Sequence, residues 1–319
     1  MTYDTSPLFT PLQIGPKSVR NRIVMPPMVV NRDLAGEDGD ASHGGRTWYG
    51  RRAQGGVGLV IVEATNVVDF GSKYEAEDLR PLADAIHQGG ALAAIQLFPG
   101  VRGQATTPAQ MTVRQIDRLV DHYDAAAEIC AQAGFDGVEP HGAHSYLLNQ
   151  FFSPAKNERT DAYGGDLAGR MRLALRIVEA IRPITDRAAM LLLYRHTPVG
   201  AGYGIEDSLV LAEALVQAGV DVLDLSPSSE AAPGDRAAPF MPLGVPVIAV
   251  NQLDRVERAL EVLREERATL VAVGRGLIAD PDWPLKVREG RLDEIVTCTY
   301  CDSCHEDLRS GAPVGCSQW

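Results

Sequence analysis

The chain has 319 residues, a size at which one large enzyme domain is comfortable and a small binding module is not. Hydrophobic residues make up 45% and charged residues 23%, an ordinary globular balance that excludes disorder, a collagen-like repeat or a disulfide scaffold as the main architecture. Thirty basic against forty-two acidic residues give −12 with no Lys/Arg cluster, which excludes nucleic acid and anionic membranes as natural partners.

The first residues, including Tyr3 and Asp4, form neither a basic nor an apolar run. No secretory signal is expected, and the reading is cytoplasmic. No apolar window approaches the ~18 residues of a membrane span. Residues 12–19 carry a Gly-Pro turn at their centre, which predicts a hairpin placed to plug a barrel floor. From there an alternation begins. Short apolar, β-branched runs bounded by Gly and Pro lie at 22–26, 58–64, 91–97, 136–141, 189–195, 220–226, 245–250 and 269–274. Helical periodicity fills most of the gaps, notably at 112–133, 170–182, 205–218 and 252–266. Several runs are apolar throughout, as in a parallel sheet covered on both faces. Eight such units predict an α/β chain of the closed (β/α)8 barrel type, with an N-terminal hairpin and a short C-terminal extension. The expected division is a barrel over 1–290 and a cysteine-rich tail over 291–319.

Barrels of this kind place reactive groups at the C-terminal ends of their strands. Those ends here read Pro26-Pro27-Met28, Glu63-Ala64-Thr65, Gln96, His141 to His144, Arg195, Ser226, Asn251 and Gly274-Arg275. The fourth is densest, with His141, His144 and Tyr146 within six residues. Two imidazoles three apart can both donate to one carbonyl or nitro oxygen, and a nearby tyrosine can protonate the adjacent carbanion. A zinc site is the second reading of His-x-x-His, without a third ligand nearby to complete it.

Four of five cysteines crowd the last 22 residues: Cys298, Cys301, Cys304 and Cys316. A terminal cluster of this kind, in a chain with no expected export signal, reads as a metal or iron–sulfur site rather than a disulfide knot. Cys130, in an amphipathic Ala-rich stretch, reads as a small core residue.

NRIVMPPM at 21–28, GGVGLVIVEAT at 55–65, the segment from Gly134 to Gly165 containing HGAHSYLLNQFFSP, and AVGRGLIADPDWPLK at 272–286 together resemble the old yellow enzyme family. The nearer likeness is to bacterial NADH:flavin oxidoreductases related to 2,4-dienoyl-CoA reductase, and it runs over nearly the whole chain. The resemblance implies a barrel that holds FMN at its mouth and reduces activated C=C bonds of α,β-unsaturated carbonyl compounds. NAD(P)H is the implied electron donor and a small molecule the implied substrate. It also implies roles. Pro26, Pro27 and Met28 would line the isoalloxazine, with Ala64 at its O4 edge. Gln96 would hydrogen-bond the pyrimidine ring, and Arg195 would lie against N1 and C2=O, stabilising the anionic reduced ring. Asn251, Gly274 and Arg275 would meet the phosphate. His141 and His144 would grip the substrate oxygen, and Tyr146 would be the proton donor. The alternative for Arg195 is an internal ion pair with Asp or Glu.

Departures from the family pattern bear on the substrate more than on FMN. Pro99 stands where the family usually has histidine, Val29 where many members have a small polar residue, Asn251 for a usual glycine, and Pro140 within the usual V-E-x-H run. The loops around Gly103–Pro108 and Ser228–Phe240 read as short, implying an open pocket or one completed by a neighbouring subunit in a homo-oligomer. Relatives of dienoyl-CoA reductase carry a 4Fe-4S cluster on four terminal cysteines, so the tail is expected to hold that cluster or, alternatively, zinc. Larger relatives continue into FAD- and NAD(P)H-binding domains. A chain without them would draw cluster electrons from a separate donor protein. Two other functions stay open: an amine dehydrogenase or demethylase, and a flavin/iron–sulfur electron-transfer subunit whose substrate pocket has decayed.

Overall fold

A computed structural model describes residues 3–36, 44–100, 106–227 and 236–319. Two short strands, β1 (Leu12–Ile14) and β2 (Lys17–Val19), pair antiparallel around a turn at Gly15, whose φ of +48° suits glycine. Eight parallel strands then close on themselves: β3 (Ile23–Met25), β4 (Leu59–Asn66), β5 (Leu92–Phe98), β6 (Gly137–Gly142), β7 (Leu191–His196), β8 (Val222–Leu225), β9 (Val247–Ala249) and β10 (Leu270–Ala272), with β10 pairing β3. The expected barrel is the barrel found, with each strand inside its predicted run or within a residue or two of it.

The hairpin is the expected plug. Ile14 and Val19 pack among inward-facing side chains such as Val24, Ile61, Leu193 and Ile248. An ion pair fastens it: Lys17 Nζ meets Asp136 Oδ1 at 2.7 Å, and the other oxygen of Asp136 takes the Ala93 N–H and His87 Nε2.

Outside the barrel, helices cover the outward apolar faces. In α3 (Val113–Ala133) the buried residues Ile116, Leu119, Val120, Tyr123, Ala126 and Cys130 recur at helical spacing, and Thr112 and Gln115 form a capping box. Cys130 is therefore a core residue, and burial pushes its thiol well up. Two helix boundaries differ from expectation. The helix predicted over 170–182 runs as α5 (Leu167–Ala188), through Pro183, because Ile184 and Thr185 are buried beyond it and packing outweighs the lost N–H. The helix predicted over 252–266 shrinks to α7 (Val256–Arg264), since Asn251 and Gln252 sit at φ of +105° and +52°, where no right-handed helix can begin.

The tail is not a loose appendage. Its helix, α10 (Ser303–Ser310), lies beside the residues that follow β3. Asn31 donates its side-chain N–H to the carbonyls of Ala312, Leu308 and Asp307, and Val314 N–H bonds to the Val30 carbonyl at 3.0 Å. Val314 is buried with the main core, and the Trp319 ring lies 6.0 Å from that of Trp48. Among the described residues no helix is long and apolar enough to cross a membrane.

Candidate active site at the barrel mouth

The C-terminal ends of β3 to β7 open on one cavity of about 970 Å³. Pro27, Ala64, Gln96, His141, His144, Tyr146 and Arg195 all line it, so seven of the predicted site residues share one space. Its size falls in the ~300–1,000 Å³ range of pockets that hold drug- or cofactor-sized ligands. Val29 and Pro99, the two departures, face it as well. Of the loops read above as short, Gly103–Pro108 and Ser228–Phe240, residues 103–105 and 228–235 lie outside the described residues.

The segment after β6 is held in an unusual shape. His144 and Ser145 have φ of +57° and +61°, left-handed values that cost non-glycine residues about 1–3 kcal/mol each. The surroundings over-determine them. The His144 N–H donates to Thr197 Oγ1, and the Ser145 N–H donates to Asn149 Oδ1, each at 3.0 Å. The turn sets the His141 and His144 rings 5.3 Å apart, and it stands Tyr146, half exposed, with its ring 5.4 Å from His141. Phe98, which the sequence reading passed over, packs edge-on against both His141 and Tyr146.

Arg195 is buried and ion-paired: Nη1 donates to Asp224 Oδ2 at 2.6 Å and Nη2 to Ser226 Oγ at 3.0 Å. The internal pair, the reading held second above, is thus present, and Arg195 lines the cavity all the same. Ser226 in turn lies 2.8 Å from His144 Nε2. The serine hydroxyl, while accepting from Arg195, has its own hydrogen for that nitrogen, and in the tautomer that takes it His144 keeps its Nδ1–H. His141 accepts the Ala143 N–H at Nδ1, which leaves it Nε2–H as donor. Both rings are neutral near pH 7. Burial, His144 and the Arg195 cation hold His141 well below its ordinary value; surrounding protein and Arg195 lower His144, whose edge opens on the cavity.

Asn251, Gly274 and Arg275 lie outside the main cavity, as do Pro26 and Met28. Gly274 abuts these last two, since a Cβ there would sit 3.3 Å from Met28 Sδ and 3.6 Å from Pro26 Cγ. The Arg275 guanidinium turns away toward the tail, bonding Asp302 at 3.1 Å and lying 4.3 Å above the Tyr300 ring.

Cys298, Cys301, Cys304 and Cys316 surround one small pocket together with Arg275. As they stand, no three His, Cys, Asp or Glu side chains among the described residues are grouped closely enough to hold an ion. Among the described residues His141 and His144 likewise have no third such side chain grouped with them. The thiols nonetheless sit among donors: Tyr300 N–H points at Cys298 Sγ, and backbone N–H groups of Ser303 and His305 bond Cys301 and Cys304. Leu308, Arg309, Ser310 and Gly311 also form one wall of the mouth, a role that no motif in those residues announces.

One buried histidine near the site makes stability pH-dependent. His196, 2% exposed, bonds Ser208, and burial lowers its pKa from 6.5 to about 4. The unfolded chain therefore binds a proton between those values that the folded chain refuses. Its contribution is complete above about pH 6.5 and is lost as pH falls toward 4, about 3 kcal/mol in all. Urea midpoints measured at both ends of that window should fall less for His196→Gln than for the parent. Equal falls would mean that His196 titrates normally.

Sequence comparison matches the family described as NADH:flavin oxidoreductase / NADH oxidase over residues 7–106, 100–226 and 241–294. An NADH oxidase of Thermoanaerobacter brockii is 35% identical over 92% of this chain and 52% of its own length. An NADPH dehydrogenase of Halalkalibacterium halodurans is 33% identical over 90% of this chain and 94% of its own. The chain spans about half the length of the first of these relatives. Among solved structures, a 2-naphthoyl-CoA reductase in complex with 2-naphthoyl-CoA superposes with a TM-score of 0.86 at 26% identity, covering 98% of this chain and 56% of that one. A morphinone reductase in complex with tetrahydroNAD gives 0.74 at 26%, covering 89% and 90%.

Proposed function

The chain belongs to the NADH:flavin oxidoreductase / NADH oxidase family, and we propose that it is an FMN-dependent NAD(P)H:acceptor oxidoreductase that reduces an activated C=C bond of an α,β-unsaturated carbonyl compound. The observation that carries this reading is the meeting of two neutral imidazoles, one tyrosine, one buried amide and one buried cation around a single cavity.

The residues fit FMN. Gln96 and Arg195 would hold the polar edge of its ring, and Pro26, Pro27, Met28 and Ala64 would supply the wall beside it. With the Arg275 side chain engaged by Asp302, the phosphate would rest on backbone N–H groups at Asn251 and Gly274–Arg275. FMN, when bound, supplies hydride exchange between a nicotinamide and the acceptor. The chain does the rest. His141 Nε2–H and His144 Nδ1–H donate to the carbonyl oxygen as it gains charge, and their neutrality lets them remain donors without ionising. Tyr146 Oη–H delivers the proton to the α-carbon. Arg195, fixed by Asp224 and Ser226, is preorganised and needs no rearrangement when charge appears beside it.

The tail over 291–319 is read as a metal-holding extension of the barrel. Cys298, Cys301, Cys304 and Cys316 would hold a 4Fe-4S cluster, with zinc as the other occupant that four thiolates suit. Backbone N–H groups are directed at three of the four sulfurs and support this most directly at Cys301, where they favour the thiolate, while burial raises the Cys298 and Cys304 thiols.

Purified protein reconstituted with FMN should be reduced anaerobically by NADH or NADPH and reoxidised by cyclohexenone. Reduction only by a protein donor, without enone turnover, would favour the electron-transfer reading instead.

A further inference from the structure

Behind Gln96 and Arg195 lies a buried polar group of side chains that the proposed reaction does not use. Glu139 on β6 and Asp224 on β8 are both fully buried in the barrel. Each flanks a cavity residue. Gln96 is the register partner of Glu139 and donates Nε2–H to its Oε1 at 2.6 Å; Arg195 is the register partner of Asp224 and donates to its Oδ2 at 2.6 Å. One oxygen then remains on each carboxyl. Glu139 Oε2 and Asp224 Oδ1 are out of reach of water and have no donor. The two carboxyl groups lie within hydrogen-bonding reach of each other.

Two ionised carboxylates cannot satisfy one another, for neither carries a hydrogen. Among the described residues Arg195 is the one cation against the pair, so two ionised groups would also leave an uncompensated negative charge buried in the barrel. The other titratable groups around the pair, His141 and His144, are neutral, and Gln96 and Ser226 carry no charge. A single proton removes both problems.

We propose that Glu139 and Asp224 share one proton, carried on Glu139 Oε2 and donated to Asp224 Oδ1, which makes Glu139 a positioning residue for Arg195 and Gln96. Asp224 is the ionised member because Arg195 holds its other oxygen. Burial raises both acids, and the charge of Asp224 raises Glu139 further. Two consequences follow for the mouth. The group presents no net negative charge beneath a ring that must accept it. Because Glu139 Oε1 stays an acceptor, the Gln96 amide is fixed with its N–H toward Glu139 and its carbonyl oxygen left for a ligand.

These consequences rest on the flavin reading above; the shared proton does not. Infrared spectra of the cofactor-free protein near neutral pH should show the carbonyl band of a protonated carboxylic acid, and Glu139→Gln should lose it. Glutamine reproduces the pattern, with Nε2–H in place of O–H and Oε1 still accepting, so the variant should melt with the parent. It should also bind FMN within about twofold of the parent, since no charge has been removed. Absence of the band from the parent overturns the proposal, even if the variant fails to fold. So does a band that survives in Glu139→Gln, or FMN binding tightened about tenfold or more, the mark of a deleted negative charge. If neither protein binds FMN while the band behaves as expected, the flavin reading fails and the shared proton stands.

Discussion

Tyr146→Phe is expected to slow reoxidation of the reduced enzyme by an enone about 10²–10⁴-fold, while FMN binding and reduction by NAD(P)H stay near the parent's. The reasoning is positional. In the tautomers given above His141 and His144 each keep one N–H for the substrate, so the charge arriving on the carbonyl oxygen is met by hydrogen bonds alone. The α-carbon still needs a proton. Tyr146 is half exposed in the cavity, its ring packed edge-on by Phe98 at 4.9 Å and by His141, and it carries a hydroxyl where a substrate would stand. Phenylalanine preserves those ring contacts and removes only the hydroxyl, and with it the proton. His141→Ala should differ in kind, weakening both substrate binding and the hydride step by removing a donor to the oxygen. Stopped-flow absorbance at the flavin band separates the two halves of the cycle. An unchanged oxidative half in Tyr146→Phe would mean that the tyrosine only packs and that water or another residue delivers the proton.

The second large effect concerns the tail. Cys301→Ser should abolish or strongly reduce bound metal while leaving the barrel folded. Cys301 is exposed, and Asn31, Val314 and Trp319 dock the tail without using that thiol. The serine would occupy the same place with an oxygen that neither a cluster nor a structural zinc favours over thiolate. Iron, zinc and acid-labile sulfide analyses, alongside the thermal melt, give the answer together. Stoichiometric metal in the variant would end the four-cysteine reading.

The sequence foretold the barrel because most of its eight strands are short apolar runs bounded by Gly or Pro and separated by helical periodicity, and strand ends then pointed to Gln96, His141, His144 and Arg195. What it could not foretell depends on three-dimensional neighbours. Nothing local to Arg195 says that Asp224, 29 positions later, shares its register. Glu139 reads simply as a strand residue before Pro140. Arg275 follows the glycine that a phosphate turn suggests, yet its long side chain is free to swing to Asp302. The tail was legible as a ligand motif but not as a wall of the mouth, since Leu308 to Gly311 carry no pattern beyond their nearness to Cys304. Helix α5 crossed Pro183 for the same reason: burial decided, and burial is not written locally.

The plugged floor has a consequence for traffic. Ile14 and Val19 fill the bottom of the barrel, and the described residues that line the cavity lie at the opposite, mouth end. Under the proposed reaction, spent nicotinamide, incoming acceptor and finished product must all use the same doorway, and none can leave through the back. Donor and acceptor therefore take turns in one room. An excess of either will crowd out the other, so turnover should be governed as much by the order of visits as by the chemistry inside.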